Sequence, residues 1–310
     1  MWPLLIAAAM GCSTTTDATG GADAATAADS VPVASDVSDV SALADDTSDL
    51  GDTSANAAEI GADPADGSAD VEPGAPHDVS IYFWNLWDNA LQADNRAKIV
   101  SWAPDIIFLS DAFDADDHAL LAAEGGFAYG HHTGENFAVS SQLPLGAVEV
   151  IHHAEITKRI LHVELTLSDA LTIDVFEVHL KNPTHASKDF ETQKTEVVRV
   201  LEEIGQRTGH MSTVVIGDLN ARSPEDGATE YINAVQAFLD AGYSDAWLLT
   251  HPGEFVVTKI ARSLEGSRID YVMVSPDLVD RVVDAGAELD TTYPEHSDHR
   301  AVFATLRVGP

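Results

Sequence analysis

Pairs of carboxylates, amides and imidazoles stand at the ends of apolar runs in this chain. Asp298 and His299 come immediately before a final run of strand-forming residues. Asp218 and Asn220 follow a run of β-branched residues, and Asp270 lies near the start of another. Rigid strands commonly present catalytic residues to solvent where the strand meets a loop. The pattern therefore predicts an active site that is assembled from strand ends.

Three more polar residues fall at predicted strand ends, and they point to a metal ion. Asn85, Asp111 and His179 each close an apolar run. Several oxygen donors with two imidazoles suit a hard divalent cation, Mg²⁺ first and Mn²⁺ or Ca²⁺ as alternatives. Zinc fits less well, because the histidine pairs at 131–132 and 152–153 lack the partner spacing of a zinc site.

The elements that would position these residues are mostly strands. Strand-like runs are found at 79–83, 106–109, 137–140, 147–151, 160–166, 171–178, 213–216, 269–274 and 301–307. Helical spacing is found at 91–101, 188–206 and 230–240, with Ser187 as an N-cap of the second helix. The short connection at 168–170 predicts an antiparallel hairpin, which favours mixed sheets. Two packed sheets with outer helices satisfy this order of elements.

The charge of the chain divides it into two parts. Of the 51 Asp and Glu residues, 14 lie in 1–77, where no Lys or Arg occurs. Residues 78–310 contain the other 37 acidic and all 16 basic residues, a formal net charge of −21. A surface this acidic repels phosphate backbones, so the composition disfavours a processive nuclease.

The amino-terminal part predicts an export signal followed by a tether. Cys12 is the one cysteine, so a disulfide framework is excluded. Residues 1–12 are apolar, end in small residues and resemble a bacterial lipoprotein signal whose thiol is acylated. An ordinary buried cysteine is the alternative. Residues 13–77 are rich in Ala, Asp and Ser, and they predict a disordered acidic linker. We therefore expect an exported lipoprotein on the periplasmic or cell-surface side, most simply in the outer membrane.

Six segments in order resemble the endonuclease/exonuclease/phosphatase (DNase I-like) superfamily over nearly all of 78–310. They are residues 81–85 (IYFWN), 104–111 (PDIIFLSD), 176–181 (FEVHLK), 217–220 (GDLN), 268–271 (RIDY) and 297–299 (SDH). The resemblance implies an α/β fold, a four-layer α/β/β/α sandwich of two packed mixed sheets, preceded by the disordered acidic tether. It makes 78–310 the catalytic domain.

The same resemblance implies a role for each candidate residue. Metal ligands would be Asn85, Asp111 and Asp298. Asp270 would orient His299 as the base that activates water, while Asp218, Asn220 and His179 would position the nucleophile and the phosphate. Asp111 stands where the family has Glu, so its carboxylate is one methylene shorter.

The implied function is Mg²⁺-dependent hydrolysis of a phosphoester by in-line attack of an activated water, with a phosphodiester preferred. The substrate could be a nucleic acid, a lipid headgroup or a small molecule, and we expect a monomer held to the membrane by its lipid anchor. One alternative is a catalytically degenerate surface binding protein on the same scaffold. The other is a phosphomonoesterase or a sphingomyelinase-like lipid phosphodiesterase. Lys181, Arg222, Lys259, Arg262, Arg268 and Arg300 are predicted to ring the site.

Overall fold

The computed structural model describes residues 75–87, 91–112, 114–134, 136–183, 187–229, 231–262 and 264–309. The predicted signal segment with Cys12, and the predicted linker as far as residue 74, lie outside these residues. The first strand begins at His77, one residue before the predicted domain boundary. Within the described ranges, the helices are too short or too polar for any of them to span a bilayer.

Twelve strands of the described chain form two six-stranded sheets. The first sheet has the order β11-β12-β1-β2-β4-β3 and the second the order β5-β6-β7-β8-β10-β9. The strands of the first sheet are β1 (His77–Asn85), β2 (Ile106–Ser110), β3 (Tyr129–His132), β4 (Phe137–Ser141), β11 (Val282–Ala287) and β12 (Val302–Val308). Those of the second are β5 (Leu145–Ile151), β6 (Ile160–Ser168), β7 (Leu171–His179), β8 (Thr213–Asp218), β9 (Ser244–Asp245) and β10 (Asp270–Val274).

Each sheet has one parallel pair at its centre, and the other strand pairs are antiparallel. In the first sheet β1 runs parallel to β2, and Asn85 pairs with Ser110 at the carboxyl end. In the second sheet β7 runs parallel to β8, and His179 pairs with Asp218. Antiparallel pairing of β10 with β8 then places Asp270 opposite Asp218. Strand register alone therefore brings polar side chains together at one end of the central strands of each sheet.

The main core lies between the sheets, and helices cover the two outer faces. Alternation along β1 sends Ile81 and Phe83 into the inner core and Tyr82 and Trp84 outward, so the strand is buried on both faces. Helices α1 (Ala93–Trp102) and α2 (Ala115–Gly125) accompany the first sheet, and α3 (Ser187–Thr208) and α4 (Asn233–Asp240) the second, while α5 (Ala246–Thr250) contacts β10 and β11. The predicted α/β/β/α sandwich of two mixed sheets is confirmed.

Three strands and two α-helices of the described residues were not predicted from the sequence: β3, β9, β11, α2 and α5. The signal for α2 was present, because Asp114 accepts hydrogen bonds from the backbone N–H groups of Asp116 and Asp117 at its amino end. Its apolar residues are mostly consecutive, at 119–123, so they do not show helical spacing. The nine predicted strands and three predicted helices are all present, with ends shifted by at most three residues.

Candidate active site

Seven of the eight predicted site residues line one pocket of about 620 Å³ at the carboxyl ends of the parallel strand pairs. They are Asn85, Asp111, His179, Asp218, Asn220, Asp298 and His299. The eighth residue, Asp270, does not line the pocket and lies behind His299. The structure therefore gathers residues that are more than 200 positions apart in the chain.

His299 and Asp270 form a buried carboxylate–imidazole pair. Both oxygens of Asp270 lie 3.0 Å from Nδ1 of His299. Nε2 lies 2.9 Å from the Lys259 ammonium, which can only donate, so Nε2 accepts and the ring proton is on Nδ1. Burial lowers the pKa of His299, but the charges of Asp270 and Asp218 outweigh it, and the pKa is raised overall. Nε2 is thus a proton acceptor of increased basicity.

The backbone around His299 is fixed to the end of β1. Trp84 donates its indole N–H to the His299 carbonyl oxygen at 3.0 Å. Ser297 donates to the Asn85 carbonyl oxygen at 2.6 Å, and its hydroxyl accepts the backbone N–H of His299 at 3.0 Å. Ser297 had no predicted role beyond its place in the sequence motif. It couples the first sheet to the segment that contains the imidazole.

The Asp298 carboxylate is buried and only half satisfied. Its Oδ2 accepts a hydrogen bond from Lys259, and the Arg262 Nε lies 3.8 Å from the same oxygen. Its Oδ1 is buried, and it has no hydrogen-bond partner in the described part of the chain. Burying an unpaired carboxylate oxygen is costly, so this atom is suited to a further cation or donor.

Asp111, Lys158 and His179 form a similar group on the opposite side of the pocket. Lys158 Nζ lies 2.9 Å from Asp111 Oδ1 and 3.0 Å from His179 Nδ1. The ammonium again requires an acceptor, so the proton of His179 is on Nε2, which lies 3.6 Å from Asp218 Oδ2. Burial, followed by the positive charge of Lys158, lowers the pKa of His179 well below its ordinary value. His179 is a neutral hydrogen-bond donor.

The backbone at Asp111 is in the left-handed region, with φ of 54°. Asp adopts this conformation more readily than most residues, because its short side chain can bond locally. The conformation turns the chain out of β2 directly at the pocket. A Glu at this position would lack that advantage, which gives a physical reason for the departure from the family residue.

Asp218 connects the two sides of the pocket. Its Oδ1 accepts the backbone N–H of Asn220 at 2.8 Å, and its Oδ2 accepts the side-chain N–H of Asn85 at 3.1 Å. The same Oδ2 lies 3.8 Å from His299 Nε2. Burial, followed by the charge of Asp270, raises the pKa of Asp218 to about 6. The carboxylate is therefore held between both imidazoles.

Close contact between β7 and β8 sets the position of Asp218. A Cβ atom on Gly217 would lie 1.9 Å from the Val178 carbonyl oxygen, and the φ of Gly217 is 149°. Just beyond the same two strands, the Asn220 side-chain N–H donates to the Leu180 carbonyl oxygen at 3.0 Å. Only glycine permits this approach of the strands.

The donor atoms in the pocket fit a divalent metal ion. Asn85, Asp111 and Asp298 offer hard oxygen ligands, and among the described residues Asp298 Oδ1 has no hydrogen-bond partner. Among the described residues, one group of His, Cys, Asp and Glu has donor atoms that all lie within 4.8 Å of one another. It consists of Asp218, Asp270 and His299, and it includes neither Asp111 nor Asp298.

The predicted ring of cations needs correction. Lys181, Lys259 and Arg262 line the pocket, whereas Arg222, Arg268 and Arg300 do not. Arg268 is instead buried between Asp226 and Asp245, and Arg300 donates to the Val257 carbonyl oxygen. Lys158 lines the pocket and was missed, because its position in a loop before β6 carries no sequence signal of its own.

The chain belongs to the endonuclease/exonuclease/phosphatase family, whose model matches residues 82–299. Members of this family are metal-dependent phosphoesterases. The matched range contains all eight candidate residues. A comparison with curated proteins found no match.

Solved structures of the same fold cover about three quarters of the chain. An AP endonuclease from Archaeoglobus fulgidus is 17% identical with a TM-score of 0.57, and the match covers 74% of this chain and 99% of that one. An endonuclease/exonuclease/phosphatase protein from Beutenbergia cavernae is 22% identical with a TM-score of 0.58, covering 75% and 72%. A 3′ phosphatase from Neisseria, solved with a product DNA hairpin, is 20% identical with a TM-score of 0.57, covering 73% and 98%. At these identities the likeness establishes the fold.

Proposed function

We propose that this protein is a Mg²⁺-dependent phosphohydrolase that cleaves a phosphoester, with a phosphodiester preferred, by in-line attack of an activated water. The observation that carries the proposal is the His299–Asp270 pair, whose unprotonated Nε2 accepts from Lys259 and lies 3.8 Å from Asp218 Oδ2 in the pocket. A raised pKa on a buried imidazole with its own carboxylate is the arrangement of a general base.

The positions of the protons on the imidazoles and the hydrogen bonds of Asp218 suggest a role for each residue. His299 Nε2 would take a proton from water while Asp270 holds the Nδ1 proton and stabilises the imidazolium. Asp218 accepts from Asn85 and Asn220, so it would orient the water and not compete for its proton. His179, neutral with its proton on Nε2, would donate to a phosphate oxygen. Phosphoryl transfer needs such positioning and charge neutralisation more than covalent help.

Asn85, Asp111 and Asp298 are the residues that would hold the metal ion. When bound, a divalent ion neutralises charge on the phosphate and on the leaving group. Mn²⁺ and Ca²⁺ are the alternatives to Mg²⁺, because the same oxygen donors suit all three.

Hydrolysis by the purified full chain tests the proposal. We expect release of p-nitrophenol from bis-p-nitrophenyl phosphate with Mg²⁺ or Mn²⁺, and loss of this activity with a chelator. Parallel assays with p-nitrophenyl phosphate, plasmid DNA and sphingomyelin identify the class of ester. No hydrolysis of any of these substrates with Mg²⁺, Mn²⁺ or Ca²⁺ would refute the proposal.

Salt dependence separates a nuclease from the other phosphoesterases. Binding to a nucleic-acid backbone weakens steeply with salt, because bound counterions are released. The net charge of −21 on residues 78–310 disfavours binding to a nucleic-acid backbone. We therefore expect the rate of hydrolysis of a small substrate to be nearly independent of salt concentration.

The rival function is a binding protein on a degenerate hydrolase scaffold, and one observation favours it. Asp111 and Asp298 are both already paired with lysines. Calorimetric titration with Mn²⁺ discriminates the two, since a degenerate scaffold need not bind the ion.

We also propose that the chain is exported and tethered to a membrane as a monomer through acylated Cys12. The support is the sequence of residues 1–12 and the acidic tract that follows. Incorporation of a labelled fatty acid into the wild type, and its loss in Cys12→Ser, tests the tether. Equal labelling of both proteins would contradict it.

A further inference from the structure

Two lysines contact the carboxylates and imidazoles of the pocket in the same way. Lys259 bonds to Asp298 Oδ2 and lies 2.9 Å from His299 Nε2. Lys158 lies 2.9 Å from Asp111 Oδ1 and 3.0 Å from His179 Nδ1. Each ammonium group therefore joins one predicted metal ligand to one predicted catalytic imidazole.

The surroundings of Lys259 hold it firmly at the carboxylate. The residue is 5% exposed, and its backbone forms bridges with Ser267 and His299. Ile260 donates to the Asp298 carbonyl oxygen at 2.9 Å, so both chain segments are in register. Lys158 is less constrained, with 27% of its side chain exposed. The Lys259 ammonium is thus buried and fixed by its backbone contacts, whereas the Lys158 ammonium lines the pocket on a partly exposed side chain.

A divalent cation and these ammonium groups compete for the same two carboxylates, Asp111 and Asp298. A carboxylate that is paired with a buried ammonium must give up that pair, or share it, when a second cation binds. Two positive charges a few ångströms apart also repel strongly where water is excluded. An ammonium that leaves its carboxylate keeps its contact with an imidazole nitrogen but loses a negatively charged partner, and a phosphate oxygen in the pocket can replace that partner.

We propose that Lys158 and Lys259 are exchange residues. Each holds a carboxylate that the metal ion needs, competes with the ion for it, and turns to the substrate phosphate once the ion is bound. This inference rests on the proposed function. It predicts opposite effects of removing a lysine: the protein binds metal more tightly and phosphate more weakly. A lysine with a merely structural role would weaken both.

Metal affinity is the first readout, and it is independent of activity. The full chain is titrated with Mn²⁺ by calorimetry as wild type, Lys259→Met and Lys158→Met. We expect each variant to bind Mn²⁺ about tenfold more tightly, because one competing positive charge is removed. Lys98→Met is the matched control. It removes a Lys–Asp pair with Asp290 that does not line the pocket, and Mn²⁺ affinity should not change.

Phosphate affinity is the second readout. Inorganic phosphate is titrated in the presence of saturating Mg²⁺, and we expect about tenfold weaker binding by both variants, the loss of one charge-assisted hydrogen bond. Unchanged or weaker Mn²⁺ binding by both variants overturns the inference, as does unchanged phosphate binding. Detectable Mn²⁺ binding in a variant but not in the wild type supports it.

Folding and activity are checked separately. Circular dichroism and thermal unfolding establish that each variant is folded, and Lys259→Gln replaces Lys259→Met if that variant is not. Failure of all three variants to fold overturns the inference, because the lysines would then be structural. The substrate panel on the wild type decides the proposed function independently. A wild type that hydrolyses a phosphoester, with variants that bind Mn²⁺ no better, refutes only the exchange.

Discussion

The two sides of the pocket share one construction and give their imidazoles opposite properties. Asp298, Lys259 and His299 form one side, and Asp111, Lys158 and His179 the other. The ammonium nitrogen lies at nearly the same distance from the imidazole nitrogen on both sides, 2.9 Å for Lys259 and His299 and 3.0 Å for Lys158 and His179. Yet the pKa of His299 is raised and that of His179 is lowered well below its ordinary value.

The two pKa values differ because the carboxylates near the two imidazole rings lie at different distances. His299 has Asp270 on its second nitrogen, and this charge outweighs the cost of burial. The carboxylates near His179 are more distant, with Asp218 3.6 Å from Nε2 and Asp111 4.0 Å from Nδ1, and they do not offset burial and the charge of Lys158. A base and a hydrogen-bond donor can therefore be made from the same residue type by changing one neighbour.

Removal of each imidazole should have the largest effect on activity, and it tests this comparison directly. His299→Ala should lower kcat/KM by about 10²- to 10⁴-fold, the contribution of a general base. His179→Ala should lower it by about 10- to 100-fold, the cost of one hydrogen bond to a charged group. Steady-state kinetics on the best substrate from the panel measures both.

A third imidazole provides the control for these variants. His162 contacts Asp174 Oδ1 at 2.6 Å on β6 and β7 and does not line the pocket. His162→Ala should keep wild-type kcat/KM even if its melting temperature falls. Equal losses for His299→Ala and His179→Ala would remove the distinction between base and donor.

The pH profile is the next test. Asp218, with its pKa raised to about 6, must be ionised to accept its hydrogen bonds, and His299, with its raised pKa, must be neutral to accept a proton. Both requirements make kcat/KM rise with pH. A plot of log kcat/KM against pH should have a slope of about two below the pKa of Asp218 and a slope of about one above it. The rise should end where His299 is deprotonated. His179→Ala should keep this profile at a lower level. A shifted break in His179→Ala would show that His179 titrates as well.

The smallest expected effect concerns Glu177, which lies two residues before His179 on β7. It is buried, and neither carboxylate oxygen has a hydrogen-bond partner within the described ranges. Burial, and then the charge of Asp111, raises its pKa well above the ordinary 4.5. The folded state therefore binds a proton that the unfolded state releases, and stability falls as pH rises above about 4.5, by up to about 1.4 kcal/mol per pH unit until the folded-state pKa is reached.

Glu177→Gln removes this proton linkage. Denaturant unfolding between pH 4 and pH 8 should give the variant a flatter stability curve and an advantage at neutral pH. Asp169→Asn, in the exposed turn between β6 and β7, serves as the control. Parallel pH curves for wild type and Glu177→Gln would show that Glu177 is ionised in the folded protein.

Much of the fold and of the site could be predicted because the polar residues interrupt long apolar runs. β8 and β10 are buried along their whole length, so Asp218 and Asp270 are conspicuous at their ends. Elements at the sheet edges escaped, because β3 and β11 are only partly buried and their sequences do not alternate clearly. Edge strands have fewer packing constraints, and their patterns are correspondingly weak.

The lysines show what sequence order cannot give. Lys259 was named only as one of several cations near the site, and Lys158 was not named. Their roles depend on distances between segments, such as the bridge that sets Lys259 against His299. No local pattern encodes a contact between two segments outside the strands, whereas strand register follows directly from hydrophobic alternation.

Gly217 shows how the absence of a side chain can control chemistry at the next residue. A single methyl group there would collide with the Val178 carbonyl oxygen and wedge β7 away from β8. That separation would widen the 3.6 Å gap between the Asp218 carboxylate and the His179 ring, and the electrostatic link between the two halves of the pocket would weaken. The distance between Asp218 and His179 therefore depends on the absence of a side chain at Gly217, the residue before Asp218.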